Sequence, residues 1–169
     1  SQSMPYRGKI RTSADGRLVY MQNSTPASSV TVVDRIAGKF VAEIATPGCW
    51  MIYVPQSVSD RFSTLCGDGT MLTVKLDAEG KPLERKKSAK FFDADEDALF
   101  TSGAQHEDNY TFVSFKGNVQ TVNVAGDTAV AEATWPLVTA AEAKAGWRPG
   151  GYQPVALHDK SGRIYVGMH

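Results

Sequence analysis

The feature that most constrains this chain is a recurring group of short strand-like runs. One group reads "LVYMQ", "SVTVVD" and "KFVAEI". The next reads "RFSTLC", "MLTVKLD" and "KPLERKK", and the third "NYTFVSF", "VQTVNV" and "AVAEA". A last group opens with "QPVALH" and "RIYVGM", and "KIRTS" and "WMIYV" add inner runs to the first two. Most alternate apolar and polar residues or are rich in β-branched and aromatic ones, as strands with one face in a core require. Glycine-bearing turns part them, among them "ADG" at Ala14–Gly16, "GDG" at Gly67–Gly69 and "KGN" at Lys116–Asn118. Equivalent strands start at Val30, Leu72 and Val119, a spacing of about 42 and then 47 residues. That period, with four short strands per unit, marks the blades of a β-propeller. A β-sandwich has as many strands, but its units need not resemble one another.

The expected fold is therefore all-β, with the whole of 1–169 inside one propeller domain. About three and a half four-stranded blades are expected, at roughly 5–48, 49–92 and 97–138 with a partial blade at 147–169. A propeller needs about four blades to close, so the sequence is expected to be a fragment or one part of a split chain. One helix is expected at "TAAEAKAG", Thr139–Gly146: Thr139 caps it, Glu142 completes a capping box and Gly146 stops it.

Composition narrows the functional classes. Acidic and basic residues balance at 18 each, which gives no footprint for nucleic acid or an anionic membrane. No apolar run approaches the ~18 residues of a membrane-spanning helix. "SQSMPYRGK" lacks the basic and apolar regions of a signal peptide; either a leader was removed, or the chain is cytosolic, or it is internal to something longer. Cys49 and Cys66 are too far apart for CxxC chemistry, and no second ligand pair exists for zinc. They are two buried thiols or one disulfide. Their positions at strand ends favour the bridge, which would require an oxidising compartment.

No GxSxG, P-loop or Rossmann fingerprint occurs, and no catalytic residue, cofactor site or metal site is assigned to this chain. His106, His158 and His169 are scattered and read as surface or strand residues. "DADED" at Asp93–Asp97 lacks the glycine and distal glutamate of a calcium loop and reads as a solvated loop between blades. "ERKKSAK" at Glu84–Lys90 is a short basic run without aromatics, expected on a solvated outer strand. A propeller without chemistry of its own is a binding platform, with aromatic and arginine residues on its loops as anchors.

One such loop follows the helix: "GWRPGGYQPVALH" at Gly146–His158. In its longer form, "AEAKAGWRPGGYQPVALHDKSGRIYV", it resembles the heavy subunit of the quinoprotein amine dehydrogenases, whose pattern is A-E-x-x-x-G-W-R-P-G-G-[WY]-Q-x-V-A-x-H followed by a turn and R-[IL]-Y. "TPGCWMIYVPQSVSDRFSTLCGDGTMLTV" resembles that family's disulfide-bearing blade, "SADGRLVYMQNSTPASSVTVVD" the blade before it, and "FFDADEDALF" the lead into the next. "YMQNSTPASSVTVVD" and "FVSFKGNV" look closer to the aromatic amine dehydrogenase branch than to the methylamine branch.

The resemblance implies a seven-bladed propeller subunit in a periplasmic α2β2 enzyme. The light subunit would carry tryptophan tryptophylquinone and the catalytic base. Primary amines, aromatic ones by the branch likeness, would be deaminated to aldehydes. Electrons would pass to an azurin-like or amicyanin-like blue copper protein. It implies a Cys49–Cys66 disulfide, and it gives Trp147, Arg148, Pro149, Gly150, Gly151 and Tyr152 a structural or subunit-contact role. The heavy-chain phenylalanine that lines the substrate channel in that family has no counterpart here. Two roles are open for the loop: a contact with the partner, or packing between blades with Trp147 as a core anchor and Arg148 bonded to loop carbonyls, the second being favoured. The competing functional class is a stand-alone propeller that binds a ligand or protein without redox chemistry.

Overall fold

The computed structural model describes residues 7–24 and 26–169. The first two positions of the expected 5–48 blade therefore lie outside the described residues. Strands β1 (Ile10–Thr12), β2 (Leu18–Asn23), β3 (Ser29–Asp34) and β4 (Lys39–Ala45) form one antiparallel sheet in chain order. A second sheet follows in the same way from β5 (Cys49–Tyr53), β6 (Arg61–Cys66), β7 (Met71–Leu76) and β8 (Pro82–Lys87). The third holds β9 (Ala104–His106), β10 (Asn109–Val113), β11 (Asn118–Asn123) and two edge pieces, β12 (Val130–Ala131) and β13 (Trp135–Pro136). Helix α1 (Ala140–Lys144) leads to a hairpin of β14 (Val155–His158) and β15 (Arg163–Val166). Up-and-down sheets of four strands, packed face to face in series, are the propeller architecture.

The second sheet is the centre of the packing. On one face Phe62, Leu72, Val74 and Leu76 meet Leu18, Tyr20, Val30, Val32 and Ile44 of the first sheet. On the other, Met51, Tyr53, Leu65 and Met71 meet Tyr110, Phe112 and Val122 of the third. Residues of both parities along β6 and β7 therefore include apolar ones, Phe62, Leu72 and Val74 on one face and Leu65 and Met71 on the other, and β6 is buried at every position. A bulge in β5 reconciles the two cores. Its pairing with β6 shifts by one residue between Trp50 and Tyr53, so Cys49 and Ile52 face the first core while Met51 and Tyr53 face the second. The bulge places Met51 at φ 63, a left-handed conformation uncommon for a long side chain.

Two elements differ from the sequence expectation. "AVAEA" does not form one strand. Gln120 is buried, its Nε2 donates to the Glu132 carbonyl (2.7 Å), and the edge breaks into β12 and β13 around that bond. Pro136, which has no N–H to donate, sits in the second piece. The inner strand β9, "AQH", has neither length nor alternation to announce it; it forms because β10 offers an unpaired edge.

Cys49 and Cys66 stand directly opposite each other on β5 and β6 and are joined by a disulfide. The hairpin that follows Cys66 turns at Gly69, where φ is +89 and a Cβ would lie 2.1 Å from the Phe92 carbonyl oxygen. Only glycine satisfies both conditions.

Candidate functional site

Helix α1 is set as its sequence dictates. The Thr139 side chain accepts from the Glu142 N–H (3.2 Å), and the Glu142 carboxylate accepts from the Thr139 N–H (2.8 Å). Those bonds from Thr139 hold the Glu142 carboxyl below its ordinary value. None of the helix's residues is buried, so α1 serves to deliver and orient the loop after it. Gly146 (φ 90) ends the helix, and the chain then pairs with the segment after β15. The Arg148 N–H donates to the His169 carbonyl (3.1 Å), the His169 N–H donates to that of Arg148 (3.0 Å), and the Gly150 N–H donates to Gly167 (3.0 Å). A Cβ on Gly150 would lie 1.9 Å from the His169 ring, so any side chain there must displace that ring.

The loop's aromatics point outward. Trp147 is 51% exposed and Tyr152 is 57% exposed. Trp147 belongs to neither buried core cluster, and among the described residues the Arg148 side chain makes no hydrogen bond or ion pair; its backbone forms the clasp. Pro149 is the buried member. Behind Trp147 lies an apolar recess of about 350 Å³ walled by Leu137, Val138, Ile164, Val166 and Met168. The sequence brings these residues from three separate segments; the clasp unites them.

A second depression gathers the first strand of each sheet. Arg11 of β1, Met51 and Tyr53 of β5, Gln105 of β9 and Val155 of β14 share a pocket of about 320 Å³. Tyr53 organises its wall. Its hydroxyl donates to the Thr101 carbonyl (2.7 Å), and its ring packs edge-on against Tyr110 and Phe112, at 5.0 and 5.3 Å. Burial pushes the Tyr53 phenol well above its ordinary range, and the nearby Tyr110 adds to that while the Arg11 charge opposes it. It is a neutral hydrogen-bond donor at any physiological pH. Gln105 Nε2 donates to the carbonyls of Val54 (2.7 Å) and Glu107 (3.0 Å), and the Tyr110 hydroxyl bridges to Val54 as well. Sequence reasoning missed this pocket, because each of its walls comes from a different repeat and no local pattern marks Arg11.

The polar clusters singled out in the sequence have structural partners. Asp93 accepts from the N–H groups of Asp95 (3.1 Å) and Glu96 (3.3 Å), and Asp97 accepts from the Lys116 N–H and Asn118, each at 2.8 Å, which ties the acidic loop to the β10–β11 turn. His106 faces Asp159 (3.3 Å), His158 faces Ser161 (2.8 Å), and His169 closes over Gly150. Among the described residues no group of three histidine, cysteine or carboxylate side chains is placed to hold a metal. The basic run lies on exposed β8. Lys86 of that strand converges with Arg61 and Lys75 on Asp127 of the third sheet, at 3.7, 3.1 and 3.9 Å. The charges of Lys86 and Lys75, with the Arg61 hydrogen bond, hold the Asp127 carboxyl below its ordinary value. This cluster fastens the second sheet to the third.

Comparison with known proteins adds a lineage to this geometry. The family model described as methylamine dehydrogenase heavy chain matches residues 4–169. The methylamine dehydrogenase heavy chain of Methylorubrum extorquens is 32% identical over 151 residues, 88% of this chain and 36% of that protein. The same-named chain of Methylobacillus flagellatus is 30% identical over 156 residues, 91% of this chain and 38% of that one. The chain thus spans little more than a third of the length of these relatives. Among solved structures, the β-propeller domain of Myceliophteria thermophila Cps50 (Swd1) superposes with a TM-score of 0.56 at 10% identity, over 99% of this chain and 50% of that one. A functionally unknown protein from Desulfotomaculum acetoxidans superposes with a TM-score of 0.61 at 9% identity, over 99% of this chain and 57% of that one. At such identities these two likenesses speak to the fold alone.

Proposed function

The chain belongs to the methylamine dehydrogenase heavy-chain family, and from that membership we propose that it is part of the large propeller subunit of a quinoprotein amine dehydrogenase. The observation that carries the proposal is the family match across 4–169, which takes in the Trp147–Tyr152 loop and the disulfide-bearing sheet together. In this reading the subunit is a scaffold. The tryptophan tryptophylquinone and the catalytic base belong to a light subunit in an α2β2 assembly. The complex deaminates primary amines to aldehydes and passes electrons to an azurin-like or amicyanin-like copper protein. A disulfide suits an oxidising compartment, in keeping with a periplasmic location. The runs at Tyr20–Asp34 and Phe112–Val119 favour an aromatic amine as substrate.

Within that assembly the Trp147–Tyr152 loop is the light-subunit contact. Two outward aromatics beside an apolar recess, on a backbone fixed by the His169 clasp, lose little conformational freedom on binding. The test is to purify the native protein without denaturant, separate its copurifying chains by denaturing electrophoresis and stain them for redox-cycling quinones. A small quinone-positive band beside an unstained propeller chain is the expected result. No quinone-positive partner would overturn the enzyme reading in favour of a binding module without redox activity. Turnover of aromatic against aliphatic amines by the same preparation then decides the substrate class.

A further inference from the structure

We propose that the light-subunit contact continues from the Trp147–Tyr152 loop onto a pair of rim phenylalanines, Phe100 and Phe115; this extension rests on the amine dehydrogenase reading. Phe115 stands in the turn between β10 and β11 and is 51% exposed. Phe100 comes from the loop that joins the second sheet to the third, and the two rings meet edge-on with centroids 4.4 Å apart. They belong to neither buried core. The backbone beneath them is fixed from both sides. The Phe100 N–H donates to the Val113 carbonyl and the Phe115 N–H to that of Ala98, each at 2.9 Å. The Asp97 carboxylate accepts from the Lys116 N–H and the Asn118 side chain, and the Gly117 carbonyl accepts from the Leu137 N–H at 2.8 Å. A lone exposed apolar residue is ordinary, whereas apposed rings that adjoin further apolar surface mark a contact. Rings presented on so rigid a turn lose little conformational freedom when they are covered.

Continuity and charge point to the occupant. β13 pairs with the start of β11, Pro136 opposite Asn118, so the β10–β11 turn and the segment leading to α1 leave the third sheet at the same end. The Leu137 that donates to Gly117 also walls the recess behind Trp147. A Cβ built on Gly117 would meet Pro149 Cδ and Val138 Cγ2, each at 3.6 Å. Phe115 and Trp147 therefore border one stretch of surface, and whatever seats on the loop reaches the ring pair. The far border of that stretch is acidic. Between Lys90 and Lys116 the lead-in loop carries Asp93, Asp95, Glu96 and Asp97. Lys90 pairs with Asp93 (2.7 Å) and Lys116 with Glu96 (3.8 Å), while Asp97 is bonded within the turn. Asp95 is exposed, and its carboxylate has no ion pair among the described residues. The light-subunit surface that fits is apolar, with basic side chains on the side of this loop.

The experiment puts the photo-crosslinking residue benzoylphenylalanine in place of Phe115 in the native assembly and, as a control, in place of Phe40, which is 64% exposed on the outer strand β4. Illumination should join position 115, and not position 40, to the quinone-bearing chain. In sedimentation of the reconstituted complex Phe115→Ser should weaken association by ~10-fold, with the melting temperature unchanged. Asp95→Asn should lessen the loss of association on adding salt. A crosslink from position 115 to the propeller chain itself, or to a second copy of it, overturns the proposal. So does association of Phe115→Ser equal to that of the unaltered protein. The amine dehydrogenase reading fails by a different result: if no quinone-bearing chain copurifies, it falls and takes this proposal with it. If Trp147→Ala loosens that chain and Phe115→Ser does not, the reading stands and this proposal alone is overturned.

Discussion

The second sheet and the final hairpin are built from similar strands, yet the molecule treats them differently. β6 is buried at every residue, because the first and third sheets cover both of its faces. Its buried Ser63 hydroxyl is bonded to that of Thr73 on β7 at 2.9 Å. β14 and β15 alternate between half-buried and exposed residues, and none is fully buried. The contrast shows that burial belongs to the stack of sheets and not to the strand. The sheet packed on both sides supplies stability. Within residues 7–169 the hairpin is packed on one side, and it is held by backbone bonds of the Arg148–His169 clasp.

The contrast can be broken most directly in the cores. Phe62→Ala empties the first core beside Tyr20, whose ring centroid is 5.0 Å away, and should cost about 3–5 kcal/mol. Ile164→Ala in the hairpin, half-buried at the start, should cost well under half as much. Denaturant unfolding measures both, and equal losses would refute the difference in burial between the second sheet and the hairpin. Replacing Cys49 and Cys66 together by alanine reopens a loop spanning 17 positions and should cost about 3 kcal/mol, read as a lower melting temperature that reductant no longer shifts. Gly150→Ala sets a Cβ against the exposed His169 ring and should cost no more than about 1 kcal/mol, since that ring can turn away. Its effect should stay local: hydrogen exchange speeds up at Arg148, Gly150 and His169 and is unchanged in β6.

Two smaller effects sharpen the comparison. The Asp127 carboxyl is held below its ordinary value by Lys86, Lys75 and Arg61, and that of Asp68 is pushed down to about 2, chiefly by its bond from Lys87. Carboxyls depressed in the folded state bind protons more readily in the unfolded chain. Their contribution is therefore complete above an unfolded pKa of about 3.9 and is lost as pH falls toward the folded values. Asp127→Asn should flatten the fall in melting temperature between about pH 5 and pH 2; an unchanged acid slope would remove the cluster from the inter-sheet account. Trp147→Ala should alter the melting temperature least of all, within about 0.5 kcal/mol of neutral. It should nevertheless weaken association with the light subunit by ~10-fold or more, measured by sedimentation of the reconstituted complex. Loss of folding instead would make Trp147 an anchor of the blade.

Much of the fold was legible before any coordinates. The spacing of Val30, Leu72 and Val119 indicates repeated sheets, and the glycine turns set the hairpins. Thr139, Glu142 and Gly146 bracket α1, because a capping box and a helix stop are interactions within a few residues. The loop at 147–152 was marked by its aromatics, proline and glycines; in the structure Arg148 and Gly150 form the clasp, Trp147 and Tyr152 are exposed and Pro149 is buried. β9 was invisible, because three polar residues become a strand only when a neighbour offers an edge. The broken strand at 130–136 was misread for a like reason: the Gln120 side chain that splits it comes from the adjacent strand.

The sequence by itself determined the local terms: which runs extend, where the chain turns, how the helix is capped, and that the cysteines sit at strand ends. Those depend on backbone geometry and on neighbours a few residues apart. Only the tertiary structure decided which strands are covered twice, where the β5 bulge shifts side chains from one core to the other, and that Arg11, Ser102 and Tyr53 line one pocket. These are contacts between groups about 40 to 90 residues apart in the chain. Their energies arise when separate sheets exclude water from between them, and no local pattern records that pairing.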